Sequence, residues 1–344
     1  MKDAEKEMDL LRGSVVLVTG ATGYTGRRLV EKLVAAEADV RAVARPSSNL
    51  EPLRDLSIRW FLGDVFDEKT IRAAMEGVEY VFHVAAAFRE PKSTERDYWN
   101  VHVKSTRLLA AEAIRNPDFK RFVHVSTMGV HGHIADPPGD ETSPFRPGDG
   151  YQRTKAEAEL WLAEFAREHG LPHAVIRPCA IYGPGERRLL KLYRMALGGV
   201  FPILGNGACW YHLVHVEDLT NAILRAAAEE RALGEAFIVG ASAPIRLEDM
   251  ARKIAAVFNR EPRILRLPIR PFFWAADICE TVCRPFSIDP PIFRRRVAFY
   301  SKDRYFSTRK MREVLGYQPV YENEAGIEET ARWYRDRGWL SVPG

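Results

Sequence analysis

Short runs of Val, Leu, Ile and Phe recur along the first half of the chain. Between them lie stretches in which apolar residues return every three or four positions. The runs "SVVLVTG" (14–20), "DVRAVAR" (39–45), "IRWFLGD" (58–64), "YVFHVAAA" (80–87), "KRFVHVST" (120–127) and "PHAVIRP" (172–178) read as strands rich enough in β-branched and aromatic residues to be buried on both faces. "TGRRLVEKLVAAEA" (25–38), a run from Glu95 to Arg115 and another opening near Tyr151 have helical period. Strands and helices alternating in this way predict an α/β fold, a Rossmann-type doubly wound parallel sheet.

The rhythm changes after Pro178. Prolines and glycines become denser. Helical runs such as "HVEDLTNAILRAAAEE" and "LEDMARKIAAVF" flank short strands like "EAFIVG". The chain thus divides into residues 1–178, a nucleotide-binding half, and residues 179–344, a smaller and mainly substrate-binding lobe, some of whose segments return to the main sheet.

Composition adds exclusions. The 344 residues are 46% hydrophobic and 28% charged, with a net charge of +4, so a large core is affordable and no broad basic footprint for nucleic acid stands out. Arg294-Arg295-Arg296 reads as a solvated patch. The four cysteines match neither a CxxC pair nor a zinc ribbon, and they read as buried free thiols in a reducing compartment, with no metal expected. "MKDAEKEMDLLRGS" lacks the apolar core of a signal peptide, and no apolar run reaches membrane-spanning length. These features predict a cytoplasmic protein without stable membrane insertion. The aromatic stretch from 264 to 286 reads as a helix covering an apolar pocket.

Two motifs carry candidate chemistry. "VTGATGYTG" ends the first strand and opens the first helix. Gly20 permits the tight turn, Gly23 leaves room beside the backbone for a pyrophosphate, and Gly26 lets the helix approach the sheet. The free N–H groups of Thr22, Tyr24 and Thr25 at the helix start then favour an anion. Further on, "GDGYQRTKAEAELW" (148–161) places Tyr151 one helical turn before Lys155. Bringing a phenol from a pKa of about 10 to about 7 takes roughly 4 kcal/mol, which a cation in a water-poor cleft supplies.

In their order and spacing, these motifs resemble the extended short-chain dehydrogenase/reductase superfamily, with its NAD-dependent epimerases, dehydratases, hydroxysteroid dehydrogenases and dihydroflavonol reductases. The resemblance covers nearly the whole chain. "GDVFD" (63–67) resembles the adenine-contacting segment, which implies cofactor contacts from Asp64 and Val65. "FHVAAA" (82–87) resembles the segment beside the nicotinamide ribose, which implies Ala85, Ala86 and Ala87. "HVSTMGVHG" (124–132) resembles the strand with the active-site hydroxyl, implying Thr127 in that role and Ser126 as its support. "RPCAIYGPG" (177–185) resembles the turn by the nicotinamide, bringing in Pro178 and Tyr182. The resemblance further implies that Lys155 holds the nicotinamide ribose and lowers the pKa of Tyr151, the catalytic acid/base. It also implies a homodimer through the helices after strands four and five.

The departures are informative. At the end of the second strand Ala44 takes the place of the acid that binds NAD, and Arg45 follows, which predicts NADP, with NAD as the alternative. "NVHVKST" (100–106) puts His102 at the register of the family's asparagine. "VHG" in place of "VYG" makes His131 a candidate substrate contact. Where nucleotide-sugar members carry a diphosphate-binding arginine, this chain has Tyr211, followed by His212. Trp210, Phe272, Phe273 and Trp274 suggest an apolar pocket. The expected reaction is hydride transfer between a nicotinamide and a secondary alcohol or ketone of a bulky, hydroxysteroid- or flavonol-like small molecule. A nucleotide-sugar epimerase is the alternative, and a non-catalytic NADP-binding sensor stands further off.

Overall fold

The computed structural model describes residues 9–87, 94–283, 291–292, 294–298 and 300–341. At its centre is a seven-stranded parallel sheet. In chain order its strands are β1 (Val15–Thr19), β2 (Asp39–Ala44), β3 (Ile58–Leu62), β4 (Tyr80–His83), β5 (Arg121–Val125), β6 (His173–Pro178) and a late strand from the C-terminal half, Ala236–Val239. Their spatial order is β3-β2-β1-β4-β5-β6 and then the late strand, which pairs in parallel with β6.

Alternation along the strands divides the core. Val16 and Val18 of β1 face one layer with Leu29, Val30 and Leu33 of α1 (Tyr24–Ala35). Leu17 faces the other, with Ile71 of α2 (Glu68–Met75), Leu109 and Leu162. Successive strand residues point to opposite faces, so one buried strand serves both layers. The chain leaves β1 toward β2 on one side and returns to β4 on the other. That reversal opens a crevice at the carboxyl ends of β1 and β4, where ligands of this fold lie.

After β4 come α3 (Glu95–Trp99), a π turn (Asn100–Lys104) and α4 (Ser105–Ala113) in unbroken succession. A capping box starts α3: the Thr94 hydroxyl accepts from the Asp97 N–H, while Asp97 accepts from the Thr94 N–H. α5 (Gly150–His169) follows β5. Asp149 caps it by accepting the Gln152 N–H at 2.8 Å, and Gly170 ends it in the left-handed region at φ +69°.

The C-terminal half builds a second core. Tyr193 from α6 (Leu190–Leu197), Phe201 from β8 (Val200–Leu204) and Tyr334 near the chain end pack there. Short two-stranded sheets support it, including β9 (Trp210–Tyr211) with Ile245–Arg246. The strand β10 (Leu213–His215), paired in parallel with β7 (Ala180–Tyr182), leads into α7 (Val216–Ala228), which packs beside α1 on the main sheet. So the late segments do not all stay in the second lobe.

Two expectations change. The aromatic stretch begins as a strand, Arg263–Leu267, paired with β8. Only Arg270–Cys283 is helical, and Trp274 on it is 70% exposed, with Ile278 and Val282 on the same stripe. Trp274 therefore lines no pocket, although Phe273 packs under the Arg294 guanidinium at 5.1 Å. Of the cysteines only Cys179 is buried, and all four are free thiols. The first eight residues, the end of the aromatic stretch (284–286) and the side chains of Arg295 and Arg296 lie outside the described residues. No described helix is long and apolar enough to cross a membrane.

Candidate active site

The glycine loop sits at the crevice. Gly20 has φ +75°, and a Cβ on it would lie 2.8 Å from the Cα of Ala85. A Cβ on Gly26 would lie 2.1 Å from the Gly20 carbonyl oxygen. Any side chain at either place would push the loop off the sheet, so the glycines bring the start of α1 against the end of β4. At Gly23 the nearest atom to such a Cβ is the Gly20 carbonyl oxygen at 3.2 Å, and nothing else lies within 4 Å, as a backbone cradle for a pyrophosphate requires. Tyr24 lies across the start of α1 and reaches the Gly183 turn, where its hydroxyl is buried without a partner among the described residues. Thr25 is buried beside it, and Ala85 is buried while Ala86 is exposed. Arg45, just past β2, and Asp64, just past β3, are both exposed. Val65 is half-buried.

At the carboxyl end of β5, α5 carries Tyr151 in its first turn and Lys155 one turn later. Both are buried, at 8% and 1% exposure. The Lys155 ammonium donates to the Val125 carbonyl at 2.8 Å. Burial pushes its pKa down to about 7, against a pull upward from Glu159. An ammonium with one acceptor in a dry place has two N–H groups to offer, which suits a pair of sugar hydroxyls. The residues present therefore fit a dinucleotide: a phosphate cradle at Gly20–Gly26, and a buried donor at the opposite end.

Thr127 follows β5 in extended backbone and accepts the Gly129 N–H at 3.1 Å. Its own O–H donates to nothing among the described residues. The Ser126 hydroxyl is buried with no partner among the described residues. β5 and α5 thus bring Tyr151, Lys155, Thr127 and Ser126 to one end of the crevice.

The other expected contacts are buried side chains. His131 is fully buried, its Nδ1 bonded to the Ser143 carbonyl at 2.8 Å and its Nε2 accepting from Arg177 at 3.1 Å. Tyr182 is 1% exposed, and its hydroxyl is where a Cβ on Gly326 would be. Tyr211 is 4% exposed, under the Arg304 guanidinium at 5.8 Å. Pro178 ends β6. Of the basic residues near the glycine turn, Arg188 pairs with the buried Glu186, and Arg187 covers Trp339 at 4.7 Å.

A buried polar layer under the site could not be assembled from sequence. In register across the strands, Thr19, His83 and His124 lie side by side. The Ser105 hydroxyl donates to the Val101 carbonyl at 2.6 Å, so its oxygen accepts from His83 Nε2 at 3.0 Å. Thr19 then donates to His83 Nδ1 at 2.7 Å. Burial, reinforced by Lys155, lowers the pKa of His83 to about 3 and keeps it neutral. Below Lys155, Arg177 and Glu159 form a buried ion pair, with Nε to Oε1 at 2.8 Å. The only signals for this layer in the sequence are polar residues inside apolar strands.

Comparison with known proteins identifies the family. The sequence profile of the NAD dependent epimerase/dehydratase family matches residues 16–240. The chain belongs to that family. It is 30% identical to the sterol demethylase protein B of Methylococcus capsulatus, over 94% of this chain and 99% of that protein. It is 28% identical to a 3 beta-hydroxysteroid dehydrogenase/Delta 5→4-isomerase of Mycobacterium tuberculosis, over 97% and 93% of the two chains. Among solved structures it resembles a UDP-glucose 4-epimerase from Thermotoga maritima, with a TM-score of 0.73 and 25% identity over 94% and 99% of the chains. A short-chain dehydrogenase/reductase-type enzyme with a nicotinamide cofactor follows from family membership.

Proposed function

We propose that this family member oxidises a secondary alcohol, or reduces the matching ketone, on a bulky and partly apolar molecule of hydroxysteroid or flavonol type. The observation that carries the chemistry is the buried Lys155 one turn from Tyr151, its ammonium on the Val125 carbonyl at the carboxyl end of β5. In this reading Tyr151 takes the alcohol proton, or returns it. Lys155 stabilises the phenolate through its charge in a place that water does not screen. Thr127 donates its O–H to the substrate oxygen, with Ser126 behind it. A bound nicotinamide supplies the hydride acceptor or donor. Tyr211 in place of a diphosphate-holding arginine, and the likeness to sterol-acting relatives, support the apolar substrate.

The same reading takes NADP as the preferred cofactor. Ala44 offers no carboxylate to repel a 2′-phosphate, and the exposed Arg45 makes no ion pair among the described residues. A specific observation favours a second reading. Arg304 over Tyr211 and Arg246 over Trp210 at 4.6 Å put cations beside the position at which the family resemblance implies a diphosphate-binding arginine.

The test is turnover of hydroxysteroids and of nucleotide sugars, followed by nicotinamide absorbance and by product analysis. Net NADP reduction with a hydroxysteroid, lost by at least about a thousandfold in Tyr151→Phe, is the expected result. Interconversion of nucleotide sugars without net change in cofactor would establish the epimerase instead. Full turnover by Tyr151→Phe would remove the mechanism.

A further inference from the structure

His102 stands in the π turn between α3 and α4. Such a turn inserts one residue into a helix and is common at functional sites. The ring is fully buried, and both nitrogens are engaged. The Ala87 N–H, at the end of the loop that follows β4, donates to His102 Nε2 at 3.2 Å. His102 Nδ1 lies 2.8 Å from the Thr154 hydroxyl, whose own proton goes to the Gly150 carbonyl at 2.9 Å. The Thr154 oxygen is thus the acceptor, and the ring proton sits on Nδ1.

The ring also meets Tyr151 edge to face, with centroids 5.2 Å apart and planes at 86°. Tyr98 of α3 stacks on it at 6.0 Å. The charged and titratable groups that act on it are Lys155 from α5 and His83 from β4. Burial, reinforced by both, lowers its pKa to about 2, so it is neutral at every working pH.

We infer that His102 is a positioning residue, one neutral imidazole that ties the Ala87 loop to the first turn of α5 and so fixes where Tyr151 stands and how readily it ionises. The inference rests on Tyr151 acting as proposed above. Three elements meet at this ring: the strand end where the cofactor crevice begins, the π turn, and the helix that carries the Tyr–Lys pair. Without the two hydrogen bonds, Ala87 and Thr154 lose their common link, while the first turn of α5 keeps its Asp149 cap, the Gly148 N–H on Gln152 and the Arg153–Glu95 pair, none of which reaches the Ala87 loop. A side-chain amide is able to accept from Ala87 and donate to Thr154, although it offers no ring to Tyr151.

The experiment compares the full-length wild-type chain with His102→Leu, His102→Asn, Thr154→Val and Tyr151→Phe. One readout is kcat and KM against pH with a 3β-hydroxysteroid and NADP. The other needs no substrate: ultraviolet difference titration of the NADP complex, with the Tyr151→Phe trace subtracted, reports the ionisation of Tyr151 alone.

His102→Leu should lower kcat roughly 10- to 100-fold, the scale of a small misplacement of a reacting group. It should also move the Tyr151 ionisation to higher pH, while the steroid KM changes little. Thr154→Val should move both in the same direction by less, and His102→Asn should recover most of the kcat. If His102→Leu keeps the wild-type kcat and titration while Tyr151→Phe is inactive, the inference is overturned. A fully active Tyr151→Phe would instead remove the proposed mechanism. If the steroid is not turned over, the titration decides: an unmoved Tyr151 ionisation in His102→Leu overturns the inference.

Discussion

Replacing Lys155 by methionine should give an enzyme that is inactive yet more stable below neutral pH. The lysine is 1% exposed, and burial lowers its pKa from 10.5 to about 7 in the cofactor-free protein. The unfolded chain binds this proton up to pH 10.5, whereas the folded chain releases it near pH 7. Between those values the unfolded state therefore holds more protons, and stability rises with pH. Below pH 7 the full penalty applies. A difference of about 3.5 units at 1.36 kcal/mol each comes to roughly 5 kcal/mol.

Methionine fills much the same volume without the charge, but it leaves the Val125 carbonyl without the lysine donor, at a cost of roughly 1–3 kcal/mol. Lys155→Met should accordingly be about 2–4 kcal/mol more stable than wild type at pH 6.5. By about pH 10 the two should be level, or the variant slightly weaker. Urea denaturation of both proteins, without cofactor, at several pH values measures the difference. A variant that is weaker at pH 6.5, or an offset independent of pH, would refute the argument that this ammonium is held at a cost to the fold. The expected pairing of gained stability with lost turnover is what an active site assembled against stability produces.

Two other substitutions bear on cofactor binding. Gly26→Ala should abolish measurable dinucleotide binding in a fluorescence titration, because its Cβ would overlap the Gly20 carbonyl at 2.1 Å and force α1 away from the loop; an affinity within about threefold of wild type would contradict this. Arg45→Ala should lower kcat/KM for NADP by roughly 10- to 100-fold and leave NAD nearly unchanged, as expected for loss of a charge-assisted contact to a 2′-phosphate; equal losses for both cofactors would instead make Arg45 a general adenine contact.

Much of this molecule was legible in the sequence because its signals are local. A strand buried on both faces must be apolar along its length, so β1, β2, β4, β5 and β6 stand out from composition alone. Gly20, Gly23 and Gly26 follow from one backbone turn and one close approach, and Tyr151 and Lys155 from a single helical turn. Strand edges were placed within a residue or two, except that "YVFHVAAA" stops pairing at His83, and Ala85–Ala87 lie past the ladder.

Tertiary structure decided what each polar side chain faces. His102 and His83 are neutral supports because partners from β1, the loop after β4, α4 and α5, up to 64 residues away in sequence, satisfy their rings. His131 joins Arg177 and Glu159 under the site, and Tyr182 joins the second core. Conversely, Trp274, which composition alone assigns to a pocket, stands in solvent because its helix buries the opposite face at Ala276. Periodicity states which side of an element is apolar, but not what lies across from it. For a buried histidine or lysine that unseen neighbour sets the protonation state, and with it the chemistry.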